Sequence, residues 1–340
     1  MKTEMKDAVN IIVDCDPGNG VPGANVDDAL AIAYALRSEK LKTRAIWTVF
    51  GNTTSDLGYS SAEALLRSMG RMDVPVRRGA DGPLQGSRQP WLTKRLNAAS
   101  SPEAPEVWRN AVGSQAGFHA SSADKVSAIP EVSGPDQLAQ DVLACSGSVS
   151  IAAIGPLTNL AGLISDEPQV VGHIERISIM GGAIGFGDEV DTNFAVDPVA
   201  ARRVLESGIP ITLVPLDVTR TTHLSQRCWD RMITEADASK APWCDSMNGW
   251  LRPWLAYSRR TRPVDGMWLH DLVSVLALAE RDLVALRPAR VNLADSGKLL
   301  LADRNGDQPV SGVRSYEVEL CTGVDNSRMI QVWQQAVLPR

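Results

Sequence analysis

Four aspartates lie close together near the start of the chain, and their types and spacing suggest metal chemistry. Asp14 and Asp16 follow the apolar run Val9–Val13, and Asp27 and Asp28 come shortly afterwards. Like charges at this density repel one another, so a cation must neutralise them if all four stay ionised. A hard divalent metal held by carboxylate oxygens is the simplest such cation. Turn aspartates and a helix N-cap would need no metal, but the four together favour a metal-assisted enzyme over a plain binding module.

Two further groups of residues could serve the same site. His270 and Asp271 precede the apolar segment Leu272–Ala277. A pair of this kind at a helix start is placed to point into a pocket, although a His-Asp pair taken alone is usually structural. Asp191 and Asn193 follow a Gly-Gly turn, which lets the backbone come close to a ligand. We expect these two side chains to hydrogen-bond hydroxyl groups.

Alternating strands and helices are predicted to position these residues. The predicted strands are Ile11–Asp14, Thr43–Phe50, Ser148–Ile154, Ile174–Met180 and Ile211–Leu216. The predicted helices are Asp27–Leu36, Asp56–Met69, Leu157–Ile164, Pro198–Glu206 and Trp268–Glu280. This alternation predicts an α/β fold with a mostly parallel central sheet flanked by helices on both faces. The notable residues fall just past strand ends, which is where open α/β sheets bind ligands.

The remaining segments are less regular. Between Asp81 and Ala128 the alternation stops, and we interpret this stretch as a long excursion over the ligand edge of the sheet. Ser225–Arg262 is predicted to be helical and rich in tryptophan. The last part of the chain predicts strands at Ala289–Leu293 and Gly312–Leu320 and a final helix at Asn326–Ala336. No clear linker divides the chain, so residues 1–340 are predicted to form a single domain.

Bulk properties exclude several classes of partner. The net charge is -6 and no stripe of Lys or Arg occurs, so we expect no nucleic-acid partner. No stretch approaches the roughly 18 apolar residues that span a bilayer, and no signal-type apolar segment follows the polar start, so we expect no membrane partner. The five cysteines are widely spaced and include no CxxC pair, which favours reduced thiols and a cytoplasmic location.

In order along the chain, the motifs resemble those of the nucleoside hydrolase family, the inosine-uridine preferring N-ribohydrolases. That family opens with Asp-x-Asp-Pro-Gly-x-Asp-Asp-Ala after an apolar strand. Here the opening reads Asp14-Cys15-Asp16-Pro17-Gly18, an insert, and then Asp27-Asp28-Ala29. The resemblance continues through Val49–Thr54, Ile154–Asn159, Met180-Gly181-Gly182, Asn193 and His270-Asp271. The aspartate opening is highly specific, whereas the later motifs are specific only in its company.

The resemblance implies a Rossmann-like sheet with extra helices around the active-site edge. It implies Ca²⁺-dependent hydrolysis of the N-glycosidic bond of ribonucleosides, which releases ribose and the free nucleobase for purine and pyrimidine salvage. A nucleoside would be the small-molecule partner. A homodimer or homotetramer is also implied, which exposed tryptophans would suit.

Individual roles follow by likeness. The expected Ca²⁺ ligands are Asp16, Asp28, Asp271 and the backbone carbonyl of Ile154. Asp16 would also be the general base for the metal-bound water, and His270 would face the departing base as its candidate acid. The expected substrate-binding residues are Asp14, Asp27, Asn52, Met180, Asp191, Asn193 and Trp254. Trp254 and Tyr257 could instead stack on the base and raise its proton affinity.

The chain departs from the family pattern at several points. The insert Asn19–Asn25 lengthens a normally tight loop and could cap the site or reach a neighbouring subunit. Asp191 stands where glutamate is common, and Gly185–Glu189 offers no counterpart to a family asparagine. The usual His-Gly-x-x-Gly loop is missing, with Ala116–His119 roughly in its place. These departures affect substrate choice rather than the bond that is cleaved.

Two other functions remain open from the sequence. A non-catalytic relative that binds a nucleoside or ribose would explain the altered loops. A haloacid-dehalogenase-like phosphohydrolase also begins with a strand and Asp-x-Asp. Pro17-Gly18 and the late His270-Asp271 fit that second class poorly.

Overall fold

The computed structural model describes residues 8–111, 128–236, 241–302 and 314–338. Its strands are β1 (Val9–Cys15), β2 (Leu41–Thr48), β3 (Val76–Arg78), β4 (Val149–Ala153), β5 (Ile174–Met180), β6 (Ile211–Val214), β7 (Val284–Leu293), β8 (Leu299–Leu301) and β9 (Ser315–Val324). Its α-helices are α1 (Asp27–Arg37), α2 (Ser55–Ser68), α3 (Gln89–Ser100), α4 (Glu106–Ala111), α5 (Pro135–Leu143), α6 (Thr158–Asp166), α7 (Thr192–Val196), α8 (Pro198–Leu205), α9 (Leu216–Thr219), α10 (Gln226–Glu235), α11 (Trp243–Thr261), α12 (His270–Ala279) and α13 (Asn326–Val337).

The nine strands form one sheet in the order β3-β2-β1-β4-β5-β6-β9-β7-β8. β7 runs antiparallel to β9 and β8, and the other neighbouring strands pair in parallel. The predicted mostly parallel α/β fold is therefore confirmed. The strand order reverses between β1 and β4, so the loops that follow these two strands diverge there and leave a crevice for a ligand.

Helices cover both faces of the sheet because the strand side chains alternate between two apolar cores. Ile11 and Val13 of β1 belong to the core under α1, α2, α11, α12 and α13, whereas Ile12 belongs to the core under α5, α6 and α8. Helix α12 is apolar on nearly every side and is buried against α1, β4 and β5, as expected for a helix without a solvent face. This packing brings the first turn of α12 to the first turn of α1.

Several elements differ from the sequence predictions. The segment interpreted as a long excursion from Asp81 over the ligand edge contains two helices, α3 and α4. β3 and β8 were not predicted. β7 begins at Val284, ahead of the predicted Ala289. The sequence prediction missed this first half of the strand because its apolar alternation is weak and Arg287 and Pro288 are exposed. Part of the predicted strand Gly312–Leu320 lies outside the described residues. The single domain over 1–340 stays a prediction, which the one continuous sheet supports.

The tryptophans do not supply an exposed interface. Seven of the nine are buried, and Trp91 and Trp268 are half-buried. The expectation of exposed tryptophans is therefore wrong, because these rings pack into the core and the cavity walls, and the homodimer or homotetramer stays a prediction. All five cysteines are unpaired thiols. Among the described residues, no helix has the length and apolarity to cross a membrane.

Candidate active site

Three buried carboxylates converge where the N-termini of α1 and α12 meet. One carboxylate oxygen from each of Asp27, Asp28 and Asp271 lies within 4.8 Å of the other two. Asp16 joins them just beyond the end of β1, where its backbone N–H donates to Asp28 Oδ1 at 3.0 Å. Its own Oδ2 accepts the backbone N–H of Asn52 at 2.6 Å. The structure thus brings together the early aspartates and the late Asp271.

Asp27 also links the two helices. Helix α12 has no side-chain cap of its own, which leaves N–H groups of its first turn in need of acceptors. Asp27 Oδ2 accepts the backbone N–H groups of His270 at 3.0 Å and Asp271 at 3.4 Å. The other oxygen of Asp27 is buried and has no hydrogen-bond partner among the described residues. One oxygen of Asp27 therefore caps α12, and the other is available to a ligand.

The electrostatics of the cluster call for a cation. Burial raises the pKa of Asp28 to about 8, and the charge of Asp27 adds to the effect. Burial likewise raises the pKa of Asp27 to about 6. For Asp16 and Asp271, burial and then neighbouring carboxylates raise the pKa well above the usual range. Several ionised oxygens so close together are stable only beside a positive charge, and an all-oxygen donor set suits a hard divalent ion.

Asp14 is separate from this cluster. Its Oδ1 accepts the side-chain N–H of Asn159 at 2.8 Å, and Asn159 in turn accepts the backbone N–H of Ala80 at 2.9 Å. Burial raises the pKa of Asp14 to about 7. Asp14 does not line the cavity beside the cluster, so its position gives no support to the predicted contact with a substrate.

A cavity of about 640 Å³ opens above the acidic cluster, a volume typical of small-molecule sites. Its acidic floor includes Asp16, Asp27 and Asp271, whereas Asp28 lies below the surface. The sequence-predicted residues that line it are Asp16, Asp27, Asn52, Ile154, Met180, Asp191, Asn193, Trp254, His270 and Asp271. All predicted site residues except Asp14 and Asp28 therefore face the same space.

The end of β4 and the end of β5 form one polar side of this cavity. Asn193 donates its side-chain amide to the backbone carbonyl of Ile154 at 3.0 Å and to that of Met180 at 3.1 Å. Asp191 caps α7 by accepting the backbone N–H of Phe194 at 3.2 Å, and burial raises its pKa to about 6. The carbonyl of Ile154, predicted as a metal ligand, thus already accepts one hydrogen bond.

His270 is held as a neutral ring. Its Nδ1 lies 2.7 Å from the hydroxyl of Thr219. Burial, and then the positive charges of Arg262 and Arg220, lower its pKa to about 3. A neutral imidazole keeps one ring proton and can donate a hydrogen bond. It is a much weaker acid than an imidazolium. The role of His270 as the candidate acid for the departing base stays a prediction.

Aromatic and cationic side chains form another wall of the cavity, of which the sequence predicted only Trp254 and Tyr257. The guanidinium of Arg262 lies 4.7 Å from the ring centroid of Trp254 and 5.5 Å from that of Trp268. Arg220 lies 5.3 Å from the Trp268 ring and pairs with Glu189. A lone arginine in a chain with 34 basic residues carries no sequence signal, so these two could be found only in three dimensions.

The insert Asn19–Asn25 contributes to the mouth of the cavity. Gly23, Ala24 and Asn25 line it, and Arg95 of α3 donates to the carbonyl of Pro22 at 3.2 Å. Gly23 has φ +78°, and a Cβ there would stand 2.3 Å from the carbonyl oxygen of Arg95. The insert therefore packs directly on α3. The loop at Ala116–His119, proposed to replace the missing family loop, lies outside the described residues.

Comparison with known proteins assigns a family to this arrangement. A family model described as "Inosine-uridine preferring nucleoside hydrolase" matches residues 11–331. A pyrimidine-specific ribonucleoside hydrolase RihA from Shewanella woodyi is 30% identical over 304 residues, which cover 87% of this chain and 88% of the relative.

Two solved structures share the fold. A plant nucleoside hydrolase, the PpNRh1 enzyme, has a TM-score of 0.78 at 23% identity and covers 98% of this chain and 99% of its own. A purine-preferring ribonucleoside hydrolase from Gardnerella vaginalis has a TM-score of 0.76 at 22% identity and covers 96% and 98%.

Proposed function

Because the chain belongs to the family of inosine-uridine preferring nucleoside hydrolases, we propose that it hydrolyses the N-glycosidic bond of ribonucleosides. Water would add to C1′ while the C1′–N bond breaks, giving ribose and the free nucleobase. The observation that carries this proposal is the convergence of Asp27, Asp28 and Asp271, with Asp16 beside them, at the floor of one cavity. Membership of this family excludes the haloacid-dehalogenase-like alternative.

The acidic cluster fits a divalent cation, and we propose Ca²⁺. Asp16, Asp28, Asp271 and the carbonyl of Ile154 would hold it with oxygen atoms alone, which is the donor type that Ca²⁺ prefers. When bound, the ion supplies positive charge that keeps the carboxylates ionised and acidifies the attacking water. Asp27 is the one we assign to substrate, because one of its oxygens caps α12 and the other has no partner.

Asp16 is proposed as the general base. It lines the cavity, and the Asn52 N–H fixes the direction of its carboxylate at 2.6 Å. A carboxylate held in this way loses little entropy when it removes a proton from water. As C1′ becomes positively charged in an oxocarbenium-like transition state, the nearby carboxylates stabilise that charge. Asp27, Asp191 and Asn193 would hold the sugar hydroxyls. Asn52 would lie near the attacking water and the general base, and Met180 would contact the substrate.

The nucleobase is proposed to lie against the aromatic wall. Trp254 is placed to stack on it, and the neutral ring of His270 is placed to donate a hydrogen bond. Stacking and hydrogen bonding would stabilise the departing base without a strongly acidic group. Released base and ribose would then be available for salvage. Cytoplasmic location and assembly as a homodimer or homotetramer remain part of this proposal.

The direct test is turnover of a nucleoside panel. We expect free ribose from at least one of uridine, cytidine, inosine and adenosine, and loss of that activity in excess chelator. The panel includes both base classes because the similar RihA is named pyrimidine-specific, whereas the purine-preferring neighbour shares only the fold. Tight nucleoside binding with Ca²⁺ but no ribose release would favour the non-catalytic alternative. The altered Gly185–Glu189 region is the observation that suggested this alternative.

A substitution that adds one methyl group beside Asp16 should displace this proposed general base. Gly51 lies so close to Asp16 that a Cβ at this position would stand 1.9 Å from Asp16 Oδ2. We expect Gly51→Ala to displace the carboxylate and lower kcat by about a hundredfold, since a misplacement of about 1 Å can cost that much. The measurement is steady-state turnover of the best nucleoside.

Gly82→Ala is the matched control for this substitution. A Cβ at Gly82 meets no atom within 4 Å, so the control should keep native kcat. Equal turnover in Gly51→Ala and the native chain would contradict the assigned position of the Asp16 carboxylate.

A further inference from the structure

Two cationic side chains of the cavity have no anionic partner. Lys94 and Arg95 of α3 both line the cavity. Neither has a carboxylate oxygen within 4.0 Å among the described residues. Lys94 is exposed, and its ammonium lies 5.9 Å from the centroid of the Trp91 ring. Arg95 is half-buried, and its Nε is enclosed without a hydrogen-bond partner in the described parts of the chain.

The other two cationic side chains that line the cavity interact with protein groups. Arg220 pairs with Glu189, and Arg262 lies over two indole rings and close enough to Asp27 to interact with its charge. Lys94 and Arg95 therefore form a separate positive wall. Arg95 is partly buried without a counter-ion, which is costly for a cation, whereas Lys94 is exposed at the rim of the cavity. An anionic ligand in the cavity would supply charge-assisted hydrogen bonds to both side chains.

The position of this wall indicates which part of a ligand would meet it. In the proposed function, the ribose diol lies over the acidic floor and the nucleobase lies against Trp254 and His270. The 5′ side of the ribose is left for the wall formed by α3. The charge of Lys94 also reaches Glu189, whose pKa is lowered chiefly by Arg220 and further by Lys94. Glu189 is close in sequence to Asp191, which is assigned to a sugar hydroxyl.

We propose that Lys94 and Arg95 bind the phosphoryl group of a ribonucleoside 5′-monophosphate, so that the enzyme prefers nucleotides to nucleosides. This inference rests on the proposed function. Water adds to C1′, the C1′–N bond breaks with its electrons going to the base, and the base takes up a proton. The products are ribose 5-phosphate and the free nucleobase, and the phosphate ester is left intact.

Paired substrates test the proposal. We expect kcat/KM for the best of UMP, CMP, IMP and AMP to exceed that of its own nucleoside at least tenfold, with ribose 5-phosphate as the sugar product. In Lys94→Gln/Arg95→Gln this ratio should fall at least about tenfold, because the variant removes both charged hydrogen-bond donors to the phosphoryl group. Lys42→Gln/Arg287→Gln changes the same charge at exposed sites outside the cavity and should keep the native ratio.

The outcomes separate this inference from the function it rests on. Efficient cleavage of nucleosides with no advantage for nucleotides, or an unchanged ratio in the double variant, would overturn the phosphoryl site and leave the hydrolase intact. Cleavage of neither class overturns both. If the double variant does not fold, Lys94→Gln is used alone. A further measurement is protection of the native chain from thermal unfolding, where ribose 5-phosphate should act at least tenfold below the ribose concentration.

Discussion

Replacing Asp16 by asparagine should lower kcat by about a thousandfold, within the range that general-base catalysis contributes. The asparagine side chain has nearly the same shape and can still accept the Asn52 N–H, which Asp16 Oδ2 accepts at 2.6 Å. It cannot remove a proton from water, so the loss should appear in kcat more than in KM. The measurement is ribose release from the best substrate, and Asp16→Ala should lose at least as much.

The matched control for Asp16→Asn is Asp136→Asn. Asp136 is an exposed aspartate in the first turn of α5, outside the cavity, and its variant should keep native turnover. Near-ultraviolet circular dichroism should show both variants folded. An Asp16→Asn enzyme with kcat close to that of the control would remove Asp16 from the proposed chemistry and leave the reaction without an assigned base.

The elements that carry the acidic cluster were predictable because their signals are local. The apolar run at Ile11 ends at an aspartate, and the helix beginning at Asp27 has a regular apolar stripe, so both were placed within two residues of their observed bounds. The apolar segment after Asp271 predicted a buried helix, and α12 is one. Parallel strands align their carboxyl ends, which explains why residues far apart in the sequence could be expected to meet.

Asp14 shows where the same reasoning fails. Alternation along a strand predicts that Asp14 and Asp16 point the same way. β1 ends at Cys15, however, so Asp16 lies beyond the regular strand and turns towards Asp28 and Asn52. Asp14 stays within the strand, and its carboxylate accepts a hydrogen bond from the side chain of Asn159. The spacing was informative about proximity but not about which carboxylate would face the cavity.

The part of the site that α3 forms, with its cationic side chains, had no local signal in the sequence. Helix α3 lies in a segment whose composition resembles a loop, and it is held by packing against the insert at Gly23. Lys94 and Arg95 become notable only because the described chain offers them no carboxylate while the cavity exposes them. Long-range packing of this kind cannot be read from periodicity, which reports only one element at a time.

Removing one carboxylate from the floor should separate metal binding from folding. Asp271→Asn should weaken Ca²⁺ binding at least about a hundredfold, because it removes one of the ionised oxygens that a hard cation requires. Turnover at a Ca²⁺ concentration that saturates the native enzyme should fall accordingly, and chelator should abolish native turnover. Isothermal titration calorimetry and ribose release measure the two effects.

Thermal unfolding adds a readout that a simple loss of stability would not imitate. Ca²⁺ at a hundred times its Kd should stabilise the native chain by about 2.7 kcal/mol, and at the same concentration this gain should fall to about 0.4 kcal/mol or less in Asp271→Asn. When chelator removes Ca²⁺, the free energy of unfolding of the variant should be at least as large as that of the native chain. The reason is that burial and the charges of Asp27 and Asp28 disfavour an ionised Asp271. Asp166→Asn, at an exposed position away from the cavity, should keep the native response to Ca²⁺. A full Ca²⁺-induced rise of Tm in Asp271→Asn would place the metal elsewhere and remove the acidic floor from the mechanism.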